Sequence, residues 1–328
     1  MFLSFICLAL PDDSPFWTAT ENEGFWGNLG EKPRITVLEN PGLVLVNHSK
    51  TGASEIIPGK VYYDDPNYSK LICYTHFPWE DHDPRGGTSM EYSFHSLDPR
   101  DVRGDDINFC LTGATLANTK DRSLLYFTSQ SMVFNGVHEG VIYRQVLMRR
   151  PPNNGVGYII DLADIIIPGG VIRVDRSRMA FEHELTQGHF GMPHIDGNPA
   201  EVRQFEKDGR KVITASINGR KTALIIYEGW DSLQKLTHTK HNAETDERTV
   251  IYAYRKRTAK NPPMELMISA LVHKTDDSEW TDEELSTVGE IRILDVTPEY
   301  AALGTGLTLC DGSVRKIYYP QIDGNRRC

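Results

Sequence analysis

Turn dipeptides containing glycine, set between apolar runs of period two, constrain this chain more than any other feature. Asn40-Pro41-Gly42, Asn135-Gly136, Asn154-Gly155, Pro168-Gly169-Gly170, Asp208-Gly209, Asn218-Gly219 and Asp311-Gly312 punctuate it. Asn-Gly and Asp-Gly supply the positive φ that two-residue hairpin turns require. The runs between them alternate as half-buried strands do: residues 35–38, 43–48, 71–74, 90–94, 107–111, 211–217, 221–227, 249–254, 264–273, 290–294, 307–310 and 314–319. Residues 123–134 and 137–148 are the longest pair, and Asn135-Gly136 between them is the clearest hairpin signal. Helix signals are few. Thr281-x-x-Glu284 has capping-box spacing over a short segment. No repeat of fixed period is present. The pattern predicts an all-β fold, a large antiparallel β-sandwich with a short N-terminal helical stub.

A chain of 328 residues, 39% hydrophobic and 24% charged, is long enough to bury a sizeable core. Its formal net charge of -10 leaves no surplus of Lys and Arg for phosphates, which argues against nucleic acid or an anionic membrane as partner. The short basic runs Arg149-Arg150 and Arg255-Lys256-Arg257 are expected to be solvated strand ends. Five scattered cysteines, Cys7, Cys73, Cys110, Cys310 and Cys328, give neither a disulfide framework nor C-x-x-C zinc spacing. Residues 1–10 are apolar but lack a basic leader and a small-x-small cleavage site, so they are expected to end a buried helix that Pro11 stops. The same segment is too short to span a bilayer. The compartment stays open between periplasm and cytoplasm.

Chemically capable side chains concentrate in residues 74–106, which hold His76, Trp79, Glu80, Asp81, His82, Arg85, Glu91, Tyr92, His95, Arg100 and Arg103. Pro78, Pro84 and Pro99 break any ladder there, so loops on strand ends are expected, where sites on rigid scaffolds usually sit. Trp79 and Tyr92 offer flat faces to a sugar ring, and the arginines can grip a carboxylate through two hydrogen bonds. The competing reading is turn chemistry with local salt bridges. A second cluster is Glu182, His183, Glu184, His189 and His194. Strand alternation puts Glu182 and Glu184 on one side and His183 on the other, and no zinc spacing is met, so no metal and no cofactor is expected. G-x-S-x-G is absent, and the glycine-rich turns lack the strand-to-helix context of a nucleotide loop.

Four motifs, Leu8-Ala-Leu-Pro-Asp-Asp-Ser-Pro-Phe-Trp17, Thr75-His-Phe-Pro-Trp-Glu-Asp-His82, Glu91-Tyr-Ser-Phe94 and Phe181-Glu-His-Glu184, resemble the C-terminal part of a bacterial family. It is known as domain of unknown function 2264 and overlaps glycoside hydrolase family 154. The resemblance implies an α/α toroid followed by a β-sandwich, and β-glucuronidase-like activity on glycans containing uronic acid. It divides the chain into residues 1–33, the remnant of the last toroid helix plus a linker, and residues 34–328, the sandwich. The family's catalytic acids are expected on the toroid, so no catalytic residue is carried over and this chain alone is expected to be inactive. His76, Trp79, Glu80, His82, Arg85, Tyr92, His183 and His189 are the expected substrate-contacting wall of a cleft. The partners implied are a uronate-containing oligosaccharide or polysaccharide and the toroid. The alternatives are a free-standing glycan-binding module, a purely structural domain, and the sandwich of a heparinase-type polysaccharide lyase.

Overall fold

The computed structural model describes residues 11, 13–20, 28, 30, 32–39, 42–48, 52–58, 73–74, 91–96, 108–110, 130–150, 155–177, 183–188, 192–239, 247–258, 260–261, 264–294 and 304–319. After a one-turn helix α1 (Pro15–Thr18) come β1 (Arg34–Leu38), β2 (Leu43–His48), β3 (Ala53–Pro58) and β4 (Cys73–Tyr74), which pair in that order as a four-stranded sheet. Next are β5 (Glu91–Ser96) and β6 (Asn108–Cys110), then β7 (Gln130–His138), β8 (Val141–Arg150), β9 (Gly155–Ile167) and β10 (Gly170–Ser177). They are followed by β11 (His183–Gly188), β12 (Met192–Pro193), β13 (Glu201–Lys207), β14 (Arg210–Ile217) and β15 (Arg220–Glu228). The chain continues through β16 (Ser232–Thr239), β17 (Glu247–Arg257) and β18 (Glu265–Thr275) to helix α2 (Asp282–Leu285). It closes with β19 (Val288–Leu294), β20 (Gly304–Leu309) and β21 (Val314–Ile317), a three-stranded sheet. An eight-stranded sheet runs β13-β14-β15-β18-β10-β9-β8-β7, and a six-stranded one runs β12-β17-β11-β5-β6 with β16 beside β17. All the pairings are antiparallel. The fold is all-β, as the turn pattern predicts.

The eight-stranded sheet is the middle of three layers. One of its faces packs against the four- and six-stranded sheets through Ile160, Leu162, Ile213, Leu224 and Leu271, which meet Val44, Val46, Leu185, Ile251 and Ala253. Its other face contributes Ile165, Ile172, Val174, Ile225 and Ile268 to a second core, closed by Leu285, Leu307, Leu309, Ile317 and Tyr319. That is why β10 and most of β18 are buried at consecutive positions instead of alternate ones. Each fully buried Leu, Ile or Val contributes about 1.5–3 kcal/mol relative to exposure. The four-stranded sheet also meets β18 through a buried polar contact: Glu55 Oε1 lies 3.1 Å from His48 Nε2 and 3.6 Å from His273 Nε2.

Polar residues that a half-buried strand would turn to solvent are here enclosed between layers. Arg144, Asp164 and Arg173 form one fully buried cluster, in which Asp164 accepts from Arg173 Nε at 2.6 Å and also from Arg144. On the opposite face Asp161 accepts from Gln145 at 2.6 Å and from Arg176 at 2.7 Å. Arg176 lies 4.4 Å from the ring centroid of Tyr319, whose hydroxyl donates to the Val174 carbonyl.

Two expectations need correction. The hairpin expected at Asn135-Gly136 turns instead at Glu139-Gly140, where φ is 50° and 77°. β7 runs through Asn135-Gly136, and Gly136, at φ 100°, sits where the register shifts between Phe134 and its own position. The positive φ that marks a turn serves equally for a bulge. Second, Arg255 and Arg257 are not solvated. Arg255 bridges Asp231 at 2.5 Å and Glu265 at 2.6 Å, and Arg257 is buried with its Nε 3.7 Å from Glu265. Carboxylates on the turn before β16 and at the start of β18 draw both guanidiniums inward. The segment before β1 contains α1, which Pro15 opens in the position where its missing N–H costs nothing. The Ser14 carbonyl there accepts from Trp17 N at 2.8 Å and Thr18 N at 3.0 Å. The hairpins at Asp208-Gly209 and Asn218-Gly219 and the capping box at Thr281 form as expected. No helix among the described residues is long and apolar enough to cross a membrane. The helix expected at residues 1–10 lies outside the described residues.

Candidate functional site on the six-stranded sheet

The six-stranded sheet has one face in the core and one turned away from it, and the alternation on β17 assigns them. Ile251 and Ala253 are buried in the core, whereas Tyr252 and Tyr254 between them are half-buried on the opposite face. Cross-strand partners extend that outer face in rows. Tyr252 pairs with Gln234 and Gly188, and Gly188 with Glu91. Tyr254 pairs with Ser232 and Thr186, Thr186 with Ser93, and Ser93 with Cys110. Lys256 pairs with Glu184, Glu184 with His95, and His95 with Asn108. Two motifs distant in sequence, Glu91-Tyr-Ser-Phe94 and the His183-Glu184 end of the second cluster, therefore lie on adjacent strands.

Hydrogen bonds brace the β16–β17 end of this face. Tyr252 Oη donates to Gln234 Oε1 at 2.8 Å, and Gln234 Nε2 donates to Ser232 Oγ at 3.1 Å. Burial raises the Tyr252 phenol above its ordinary pKa, which keeps it a neutral donor. The arrangement sets two half-buried tyrosines beside an amide and a hydroxyl. Such a surface suits a polyhydroxylated ligand with an apolar ring face and a polar rim.

Of the residues expected to contact substrate, Tyr92 and His183 lie in described strands. Tyr92 is the register partner of Gln187, and His183 that of Ser96 and Arg257. These positions share the parity of Leu185 and Gln187, both buried, and Gln187 Oε1 accepts from Ser269 Oγ of the eight-stranded sheet at 2.6 Å. Positions 92 and 183 thus fall on the sheet side that faces the middle layer, while positions 91, 95 and 184 share the outer side. His76, Trp79, Glu80, His82, Arg85 and His189 lie outside the described residues, as do Asp81, Arg100, Arg103 and Glu182. His194 is half-buried, with Nε2 3.0 Å from Thr249 Oγ1. Among the described residues no group of three or more His, Cys, Asp or Glu is placed to hold a metal ion. Tyr252, Tyr254, Gln234 and Ser232 were not expected from sequence. Their signal is Ile251-Tyr-Ala-Tyr254, an alternation with aromatic polarity on one face and small apolar residues on the other.

No family model matches the sequence, and no curated protein matches it. Among solved structures the chain is similar to a heparan sulfate lyase from Pedobacter heparinus, with a TM-score of 0.47 and 8% identity over 87% of this chain and 42% of the lyase. A heparinase III gene product gives a TM-score of 0.49 and 9% identity over 88% of this chain and 42% of that one. A bacterial glucoamylase complexed with acarbose gives 0.35 and 11% over 75% and 35%. The chain spans 42% of the length of the two heparinase structures.

Proposed function

We propose that this chain is the β-sandwich module of a uronic-acid-directed glycoside hydrolase, similar to a β-glucuronidase, in which the outer face of the six-stranded sheet walls a glycan cleft. An α/α toroid supplies the catalytic acids in this reading, and the sandwich supplies substrate contacts. One observation carries it: β5, which bears Glu91-Tyr-Ser-Phe94, and β11, which starts with the His183-Glu184 end of another motif behind the family resemblance, pair residue for residue, with Glu91 opposite Gly188 and His95 opposite Glu184. Their outer positions continue the tyrosine face of β17.

The test uses the purified 328-residue chain. Calorimetric titration with oligosaccharides that contain glucuronate is expected to show binding, while incubation with an aryl β-glucuronide is expected to release no aryl alcohol. Robust turnover by the chain alone would overturn the division of labour. Ultraviolet absorbance from an unsaturated uronate, appearing with the polysaccharide as substrate, would overturn hydrolysis in favour of elimination.

A further inference from the structure

We infer that the open edge of β13 pairs antiparallel with β13 of a second copy of this chain, joining two eight-stranded sheets across a two-fold axis at Gln204. The inference is independent of the glycan reading above.

Three observations carry it. First, the edge is open. β13 ends its sheet, Arg203, Gln204, Phe205 and Glu206 are all exposed, and Phe205 keeps 39% of its surface in solvent. Lys207 and Arg210 flank the turn Asp208-Gly209, where φ is 50° and 73°. A turn of this kind hydrogen-bonds its flanking pair, so positions 207, 205, 203 and 201 direct their peptide groups toward β14. Val202, Gln204 and Glu206 direct theirs away, and among the described residues no strand pairs with them on that side. Second, the strand, Glu-Val-Arg-Gln-Phe-Glu-Lys, complements itself when reversed about Gln204. Glu201 falls opposite Lys207 of the second copy, and Arg203 opposite its Phe205, each pair occurring twice on one face. Opposite charges, and a guanidinium over an aromatic ring, are favourable cross-strand pairs. On the other face Gln204 meets Gln204, amide to amide. Third, the neighbouring registers set like charges opposite each other. Centring on Arg203 pairs that guanidinium with itself, centring on Phe205 pairs Arg203 with Lys207, and centring on Glu206 pairs two carboxylates. Charges that repel a foreign strand thus accept a copy of their own in one alignment.

Within one copy Arg203 bridges Glu201 at 2.8 Å and Lys207 bridges Asp282. Bridges with exposed partners hold little energy, so the same groups re-form pairs across the edge at small cost. Only two edge strands meet, which places the contact at the small, transient end of interface sizes. The dilute chain is therefore monomeric with its β13 edge open, and pairing sets in at high concentration. The axis stands perpendicular to the sheet, so the six-stranded sheets of both copies lie on the same side of the joined sheet.

The test is sedimentation velocity of the purified 328-residue chain between about 0.01 and 1 mM, with hydrogen exchange of β13 measured at both ends of that range. A reversible monomer–dimer equilibrium is expected, with the amides of Val202, Gln204 and Glu206 exchanging fast when dilute and slowed when concentrated. Gln204→Pro removes an outward N–H at a position where an edge strand tolerates proline. It is expected to abolish the dimer and leave the urea midpoint close to that of wild type. Glu201→Lys and Lys207→Glu each set like charges opposite one another twice, and each alone is expected to weaken association about tenfold. An equimolar mixture of those two variants restores opposite charges at both places and is expected to associate as tightly as wild type. That mixture keeps the test decisive if the proline variant does not fold. A wild-type chain that stays monomeric throughout overturns the inference. So does a dimer that Gln204→Pro leaves unchanged, which would belong to another surface, and so does a mixture that associates no more tightly than its components.

Discussion

Asp164 and Asp175 stand on neighbouring strands, both fully buried, and their surroundings drive them in opposite directions. Burial pushes the Asp164 carboxyl up, but Arg173 and Arg144 together outweigh it and hold the group below the ordinary carboxylate range. Burial raises the Asp175 carboxyl well above that range. The signs of their pH linkage differ accordingly. A folded pKa below the unfolded value, about 3.9, contributes stability that is present above that pH and lost as pH falls through the folded value. A folded pKa above it contributes stability present below about pH 3.9 and lost as pH rises through the folded value. Asp164→Asn removes the carboxylate that two buried guanidiniums share and is expected to cost about 3–5 kcal/mol at neutral pH. Asp175→Asn is expected to stabilise the fold at neutral pH, with the gain vanishing in acid. Urea denaturation of both variants at neutral and acidic pH checks the pair, and a destabilised Asp175→Asn at neutral pH would show that its carboxylate is held by a compensating contact.

At the scale of elements, the β7–β8 hairpin shows what alternation and turn residues can and cannot specify. The sequence places two long strands and a positive-φ dipeptide correctly, yet Asn135-Gly136 becomes a bulge and Glu139-Gly140 the turn. The dipeptide reports a backbone conformation, and pairing register decides how it is used. Glutamate is poorly suited to φ 50°, so Glu139→Asn is expected to stabilise the chain by about 0.5–1 kcal/mol, measured as a higher urea midpoint. An unchanged or lower midpoint would mean that the turn is not limiting. The same limit governs the site. Ile251-Tyr-Ala-Tyr254 is legible as a two-faced strand from its own residues. That His95 lies opposite Glu184, 89 positions away, depends on which strands pair, and no local pattern encodes it. Asp161, Asp164, Arg173 and Arg176 look like solvent-facing residues for a related reason. Alternation distinguishes two faces of a strand, but it carries no information about a second sheet covering the outer one.

Three layers give the molecule a graded stability that its edge strands make measurable. β10 and β18 lie inside the eight-stranded sheet, hydrogen-bonded on both sides and covered on both faces, so their amides open only when the layers separate. Among the described residues β13 forms one edge of that sheet, pairs only with β14, and is largely exposed. Its outward charges, including Glu201, Arg203 and Glu206, guard the open edge against another strand. Opening β13 therefore breaks one ladder and exposes little apolar surface, whereas opening β10 dismantles two cores. Two further contacts hold the middle layer in place. Gly229, at φ 75°, approaches so closely that a Cβ there would lie 2.1 Å from the Leu266 carbonyl oxygen, and a Cβ on Gly170 would lie 2.0 Å from that of Leu271. Native-state hydrogen exchange should show the amides of β10 and β18 exchanging with the free energy of global unfolding, and those of β13 that face its open edge exchanging far faster. Gly229→Ala, expected to cost about 3 kcal/mol through strain and overpacking, should lower the protection of β10 and β18 together and leave those β13 amides nearly unchanged. Equal loss in β13 would mean that the eight strands open as one unit and that the covering layers do not grade their stability.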